Sequence, residues 1–164
     1  MSLLDDHEKV LKALNGFEVE AGWFASARYQ MSKGSSSDMA GVPVAKIAKI
    51  NEFGATIKKS HNGKHSVIVI PARPFMREAV QKFKQEKIQK QALIVKQLLA
   101  MKIKPEQAMA QMGLVMENCI VESIKAFKEP KNAPSTVKKK GFDKPLIDTG
   151  QMWQSVASKV VKLA

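Results

Sequence analysis

Two long helical patterns follow one another in the middle of this chain, at residues 74–101 and 105–127. In both segments, apolar residues recur at the three- and four-residue spacing of an amphipathic helix. At about 1.5 Å per residue, the first helix would extend roughly 40 Å, which is long for a chain of 164 residues. We therefore expect a long helical pair to be a main part of the fold, packed with a small sheet.

The first of these patterns divides into two apolar stripes separated by a five-residue step, which indicates one helix with a displaced face or two stacked pieces. The first stripe comprises Met76, Val80 and Phe83, and the second comprises Ile88, Ala92, Val95 and Leu99.

Three other segments have the patterns of β-strands. Apolar and polar residues alternate over 17–29, which predicts a half-buried strand. Residues 56–71 predict a hairpin, because an Asn-Gly turn signal precedes the β-branched run that ends at Pro71. Residues 156–163 predict a final strand. Together with helices at 3–14 and 43–52, these segments predict an α+β fold in one domain over 1–164, with a small antiparallel or mixed sheet.

Two segments lack any periodicity. Residues 31–41 are rich in Gly and Ser and predict a mobile loop. Residues 128–148 combine three prolines with many lysines, and predict an extended basic arm or a functional loop. No stretch approaches the roughly 20 apolar residues that a membrane span requires, so we expect no membrane partner.

The charge of the chain is strongly positive. Lys and Arg total 27 against 15 Asp and Glu, a formal net charge of +12. Such a surplus favours an acidic partner such as nucleic acid or an acidic protein face. However, Arg occurs only at positions 28, 73 and 77, and Arg is the residue of bidentate phosphate and base recognition. General solubility or loose electrostatic complementarity therefore explains the charge better than specific readout of nucleic acid.

No group of residues has the pattern of a catalytic or metal site. His61 and His65 flank a turn signal and have no adjacent Cys or carboxylate. Cys119 falls on the apolar stripe of a helix, as a buried thiol would. Glu18 and Glu20 share a strand face but nothing else indicates a sugar cleft. We expect no enzyme activity, no metal and no cofactor.

The distinctive motifs are instead three junctions between elements: "NEFGA" at 51–55, "IPARPFM" at 70–76 and "KPLIDTGQM" at 144–152. In this order they resemble the neck and tail-completion proteins of long-tailed bacteriophages and prophages. The resemblance covers nearly the whole chain after residue 16. It implies a small α+β subunit that forms a ring at the head–tail junction and has no catalytic role.

The positions that match these motifs, which the resemblance implies to be structural or interface residues, are Asn51, Glu52, Phe53, Gly54, Pro71, Arg73, Pro74, Phe75, Leu146, Asp148, Thr149 and Gly150. Residue chemistry agrees with this reading at the second motif. Pro71 ends a strand, because proline cannot donate to a ladder, and Pro74 suits a helix start. Arg73 between them is expected to bond a carboxylate such as Glu52 or Asp148. It either staples the fold within the subunit or contacts a neighbouring one.

Two hypotheses for function follow. The first is a structural virion protein of the neck or tail-completion class, located in the neck or upper tail and in the host cytoplasm during assembly. Its partners would be other copies in a six- or twelve-fold ring and adjacent neck, connector or tail proteins. The arm lysines Lys138, Lys139 and Lys140 would face an acidic neighbour or DNA. The alternative is a basic nucleic-acid-binding protein. A phage nuclease is disfavoured, because the chain lacks clustered carboxylates and histidines.

Overall fold

The computed structural model describes residues 3–30, 40–61 and 64–163. Most of the loop predicted to be mobile, at 31–41, lies outside these residues. The Asn62–Gly63 turn of the predicted hairpin also lies outside them.

The described segments form helices and two separate two-stranded antiparallel sheets, which confirms the predicted α+β class with a small sheet. The helices are α1 (Leu3–Leu14), α2 (Val44–Phe53), α3 (Phe75–Leu99), α4 (Pro105–Ala126), α5 (Pro134–Lys140) and α6 (Gln151–Gln154). The strands are β1 (Phe17–Gly22), β2 (Ala55–His61), β3 (Lys64–Ile70) and β4 (Ala157–Lys162). The predicted long helical pair is therefore present as α3 and α4.

The chain divides into two compact units, each built from discontinuous segments. Unit 1 comprises Met1–Gly22, Ala79–Ile120 and Val156–Ala164, and unit 2 comprises Trp23–Glu78 and Val121–Ser155. Both α3 and α4 contribute residues to each unit.

Unit 1 contains the β1–β4 sheet, whose register runs from Phe17 opposite Lys162 to Gly22 opposite Ala157. A Cβ added to Gly113 of α4 would lie 2.5 Å from Ser158 Oγ, so α4 approaches this sheet at a glycine. The buried centre of the unit is formed by Ile94, Leu98 and Ala108, against which Val10, Leu14, Ile103 and Met112 pack.

Unit 2 contains α2, the β2–β3 hairpin, α5 and α6, with one turn of α3 and the end of α4. Its buried apolar side chains include Val44, Phe75, Ile124, Phe127 and Met152. The hairpin predicted at 56–71 is present, and it pairs Ala55 with Ile70 at its base and His61 with Lys64 at its tip.

The strand predicted over 17–29 is shorter than expected and ends at Gly22. Its partner explains the difference, because Gly22 pairs with Ala157, the first residue of β4. Beyond that point no strand among the described residues continues the ladder. Residues 23–28 leave the sheet, and a single bridge joins Arg28 to Pro43.

The predicted second stripe of α3 is wrong as a buried face. The buried residues in this part of the helix are Ile94 and Leu98, whereas Val95 is exposed and Ile88 is 70% exposed. The sequence predicted the helix correctly but not which side of it faces the core.

The 128–148 segment is only partly extended. Helix α5 occupies Pro134–Lys140 and ends at Gly141, which is left-handed and donates its N–H to Val137 O. This short helix has no buried residue. Its sequence therefore lacks the apolar periodicity that would have predicted it.

Candidate functional site

The first junction is the end of α2 at Gly54, whose backbone has φ 74° and ψ 171°. Glycine adopts this region readily and other residues do not. A Cβ at Gly54 would lie 2.8 Å from Ile70 O and 2.9 Å from Ala72 N. The chain leaving β3 therefore passes directly against the end of α2, and the first two sequence motifs meet there.

Arg73 lies at the centre of this corner and is only 6% exposed. Its guanidinium donates from Nε to Pro130 O at 3.1 Å, from Nη2 to Lys131 O at 3.1 Å and from Nη1 to Asn51 Oδ1 at 3.3 Å. Its backbone N–H also donates to Asn51 O at 2.6 Å. One side chain thus joins the end of α2 and the start of the 128–148 segment to the strand–helix corner.

The carboxylate partner predicted for Arg73 is wrong in the case of Glu52. Glu52 Oε1 accepts a bond from Arg77 Nε at 3.0 Å, and Oε2 accepts one from the backbone N–H of Met76 at 2.8 Å. This buried carboxylate therefore satisfies the first turn of α3, where free N–H groups and the helix dipole favour a negative charge. The other candidate, Asp148, is exposed, and the bonds of Arg73 go to carbonyl and amide oxygens instead.

Burial lowers the pKa of Arg73 from its ordinary value, and the nearby charge of Asp143 opposes this shift. An arginine stays protonated throughout the physiological range, because its ordinary pKa lies so far above neutrality. The corner consequently contains a permanent positive charge that bonds two backbone carbonyls and one side-chain amide oxygen.

Phe75 anchors the beginning of α3 and is fully buried. The Ser123 hydroxyl of α4 donates to the Phe75 carbonyl. Trp23 meets the Phe75 ring edge-on, with 6.0 Å between centroids, and donates from Nε1 to Met152 O at 2.7 Å. These contacts connect the second motif to α4 and α6.

The third motif forms a separate turn before α6. Leu146 and Gly150 have positive φ values of 63° and 83°, and Gly150 caps α6. Asp148 and Thr149 between them are exposed. Gln151 follows, accepting from the Gln30 N–H at 2.8 Å and donating to Gln30 O at 3.1 Å. The motif thus shapes a turn that is tied to the segment after β1.

The charge of Asp148 in this turn affects the pKa of Tyr29. Burial raises the pKa of Tyr29 to about 12, and the negative charge of Asp148 adds to the shift. Both causes disfavour the tyrosinate, so the phenol stays neutral in the folded protein.

The three arm lysines differ from one another. Lys138 and Lys139 are exposed, whereas Lys140 donates from Nζ to Lys144 O at 2.7 Å and lies 4.8 Å from the centroid of Phe142. Burial is the main reason that the pKa of Lys140 is lowered, and Asp148 opposes the shift. Lys140 is therefore engaged within the chain, and only Lys138 and Lys139 are presented outward.

An open recess of about 500 Å³ lies near this segment. Its lining includes Lys125, Phe127, Lys131, Asp143 and Lys144. Lys125 also places its Nζ 3.8 Å from the centroid of the Trp153 ring. The lining contains four lysines and two carboxylates, Glu129 and Asp143, so positive charges outnumber negative ones there.

Within residues 3–30, 40–61 and 64–163, no three His, Cys, Asp or Glu residues lie close enough to hold a metal ion. Cys119 is buried. No helix in the part of the chain that the structure describes is long and apolar enough to cross a membrane.

The structure brings most matched positions of the first two motifs together, but not all. Asn51, Glu52, Gly54, Arg73 and Phe75 share the corner, whereas Phe53 is 66% exposed. Pro71 ends the hairpin and Pro74 precedes α3.

Sequence reasoning missed the carbonyls of residues 130 and 131, since backbone oxygens leave no signal in the residue identities. It also missed Arg77, which lies in the first turn of α3, four residues after Arg73 in the sequence.

Neither a scan of protein-family models nor searches of curated proteins and of solved structures gave a match to this chain.

Proposed function

We propose that this chain is a structural virion protein of the neck or tail-completion class, which assembles as a six- or twelve-fold ring at the head–tail junction. The observation that carries the proposal is the Arg73 corner. Two of the three motifs on which the resemblance rests form one buried joint, in which Arg73 and Glu52 bond to groups of the same chain. In this proposal the motifs fix the shape of the subunit.

A rigid joint suits a ring subunit for a geometric reason. Each copy in a closed ring makes the same head-to-tail contact, and the rotation between copies has to be constant for the ring to close. The corner fixes the hairpin to the end of α2 through Gly54 and Arg73. Partners in this proposal are other copies and adjacent neck, connector or tail proteins, and neither a catalytic step nor a cofactor is needed.

The test has two readouts. Light scattering of the purified chain, alone and with particles that lack it, is expected to give six- or twelve-fold species or attachment to the particles. Mass spectrometry of purified particles from a host that carries the gene is expected to detect the chain. A monomer that neither attaches to particles nor occurs in them would contradict the proposal.

A second function is favoured by one observation, the net charge of +12 with Lys138 and Lys139 exposed. In this alternative the chain binds nucleic acid through phosphate contacts. Replacing Lys138 and Lys139 by Gln would then weaken duplex DNA binding and reduce the slope of log affinity against log salt by about two.

The chain offers a matched control in Lys46 and Lys49, two exposed lysines on α2. A mobility-shift titration at several salt concentrations compares the two double variants. A loss confined to the 138/139 variant would support nucleic-acid binding by the arm. Equal behaviour of both variants and the parent would exclude it.

A further inference from the structure

The β2–β3 hairpin is exposed along almost its whole length. From Thr56 to Val69, every side chain that the structure describes is exposed. Val67 is 60% exposed and Val69 is 68% exposed, on the face that they share with Thr56 and Lys58. Ile57 and Ile68 lie opposite one another on the other face and are also exposed. Apolar β-branched side chains therefore occupy both faces of a projecting element.

Its edges are open as well. The two sheets that the described residues form each have two strands, so no third strand of this part of the chain pairs with the outer edge of β2 or of β3. A two-stranded hairpin by itself is marginally stable in water. Proteins normally protect such edges with charges, prolines or bulges, because an open apolar edge is a template for strand addition. The run Ser66–Ile70 has none of these protections.

We propose that a second copy of this chain completes the hairpin, with the outer edge of β3 in one subunit pairing antiparallel to the outer edge of β2 in the next. This inference rests on the ring assembly proposed above. It names the surface that makes the ring contact.

A second copy fits better than a foreign strand because each hairpin has two different open edges. A foreign strand would cover only one of them. Since β2 and β3 are antiparallel within the hairpin, a copy related by rotation can present its β2 antiparallel to the β3 of its neighbour. Repetition of this heterologous contact closes a ring, and a closed ring of hairpins leaves no open edge.

The first experiment replaces Val67 and Val69 together by Thr, which keeps the β-branched shape but makes both side chains polar. If the two valines are buried between subunits, the dissociation constant of the ring is expected to rise about tenfold or more. The matched control replaces Val80 and Val95, two exposed valines of α3, by Thr. Sedimentation velocity measures assembly, and circular dichroism checks that each variant is folded.

Wild-type assembly by the 67/69 variant would overturn the proposal. An equal or larger loss in the 80/95 control would also overturn it, because the contact would then lie on α3.

The second experiment tests the pairing itself and does not depend on weakening the ring. It uses four variants that each add one exposed cysteine beside the buried Cys119, two on β2 (Thr56→Cys, Lys58→Cys) and two on β3 (Val67→Cys, Val69→Cys). The parent chain, oxidised in the same way, shows what Cys119 alone contributes. Each β2 variant is mixed with each β3 variant and oxidised gently. Disulfide-linked dimers that form in the mixtures but not in the separate variants are expected, because β2 then meets β3 of another copy.

The remaining outcomes separate this inference from the proposed function. Dimers formed by a β3 variant alone would show a symmetric β3–β3 contact and overturn the head-to-tail pairing. Rings without any disulfide would exclude the hairpin as the contact and leave the virion role standing. A chain that stays monomeric but is found in particles would overturn self-pairing alone. A monomer absent from particles would overturn both.

Discussion

Arg73 and Glu52 have opposite charges and lie in the same corner, yet each bonds to something else. The planar guanidinium of Arg73 bonds three oxygens that belong to segments distant in sequence. Glu52 has a better partner in the first turn of α3, where a backbone N–H and Arg77 both reach it. At the scale of residues, charge therefore joins chain segments to one another.

Replacing Arg73 by Ala is expected to lower the free energy of unfolding by about 2–3 kcal/mol, because hydrogen bonds to a charged group are lost and partly buried carbonyls lose their partner. Arg73→Lys should recover only part of this loss, since an ammonium cannot span three acceptors in a fork. Urea denaturation measures both.

The control for this prediction is Arg28→Ala, at an exposed arginine that donates to Gly41 O. It should cost less than about 1 kcal/mol. Equal urea midpoints of unfolding for Arg73→Ala and the parent would show that the corner does not depend on this side chain.

Gly54→Ala is expected to be among the most damaging single substitutions in unit 2. The added Cβ would meet backbone atoms of residues 70 and 72, which cannot rotate away, in a conformation that favours glycine. The free energy of unfolding should fall by about 3 kcal/mol or more. Gly141→Ala is the matched control, because Gly141 also has a positive φ but open space around it. Gly141→Ala should lower the free energy of unfolding by about 1 kcal/mol. Thermal unfolding compares the Gly54→Ala and Gly141→Ala variants.

Tyr29 gives a pH prediction with a direct readout, because it is the only tyrosine of the chain. Its pKa of about 12 in the folded protein exceeds the ordinary value of 10.0. The folded state therefore favours the neutral phenol. Its contribution to stability is complete below about pH 10 and is lost as pH rises towards 12.

Ultraviolet titration of the tyrosinate measures this pKa. Asp148→Asn should lower it only in part, since burial is the larger cause of the shift. Tyr29→Phe should remove this contribution to the loss of stability in alkali. A measured pKa near 10 in the folded protein would contradict the partial burial of the phenol.

At the scale of elements, close approach decides how helices and strands pack. Within unit 1, α4 meets the β1–β4 sheet at Gly113, where an added Cβ would lie 2.9 Å from Ser158 Cβ and 3.0 Å from Val19 Cγ2. A glycine in a helix normally weakens it by roughly 1 kcal/mol relative to alanine. Here its absence of a side chain lets the helix backbone come close to the sheet.

Gly113→Ala should therefore destabilise the protein by about 1–2 kcal/mol, because the clash outweighs the gain in helix propensity. Combining it with Ser158→Gly removes both short contacts with residue 158, so the double variant should be more stable than the sum of the single effects predicts. Chemical denaturation of the four proteins gives the coupling. Additive effects would show that the helix and sheet are not in contact here.

At the scale of the whole molecule, the net charge of +12 opposes the approach of two copies. If apolar strands make the contact between subunits, salt should strengthen assembly, because it screens the repulsion between copies. Binding to nucleic acid should instead weaken with salt. Added salt should therefore strengthen self-association and weaken nucleic-acid binding.

Sedimentation velocity between about 0.05 M and 0.5 M salt, a range over which the Debye length falls severalfold, measures the sign for self-association. The Lys46/Lys49→Gln variant provides the control. Removing two positive charges reduces the repulsion between copies, so it should strengthen assembly as added salt does. Dissociation of the rings at high salt would indicate that ion pairs hold the subunits together.

The sequence alone determined the elements whose signals are local. Helical spacing predicted α1, α3 and α4, and the β-branched run before Pro71 predicted the hairpin. The junction motifs also pointed to the corner at Gly54 and Arg73. These features depend on neighbours a few residues away, so they can be recognised from the chain itself.

The tertiary structure decided which side of α3 is buried, where β1 ends and what Arg73 binds. Each of these depends on a partner distant in sequence: Ile94 and Leu98 pack against Ala108, Gly22 pairs with the first residue of β4, and Arg73 bonds carbonyls at 130 and 131. Apolar periodicity marks a face but not its neighbour, and a backbone carbonyl has the same chemistry at every position. Only the packing of the folded chain selects among such equivalent partners.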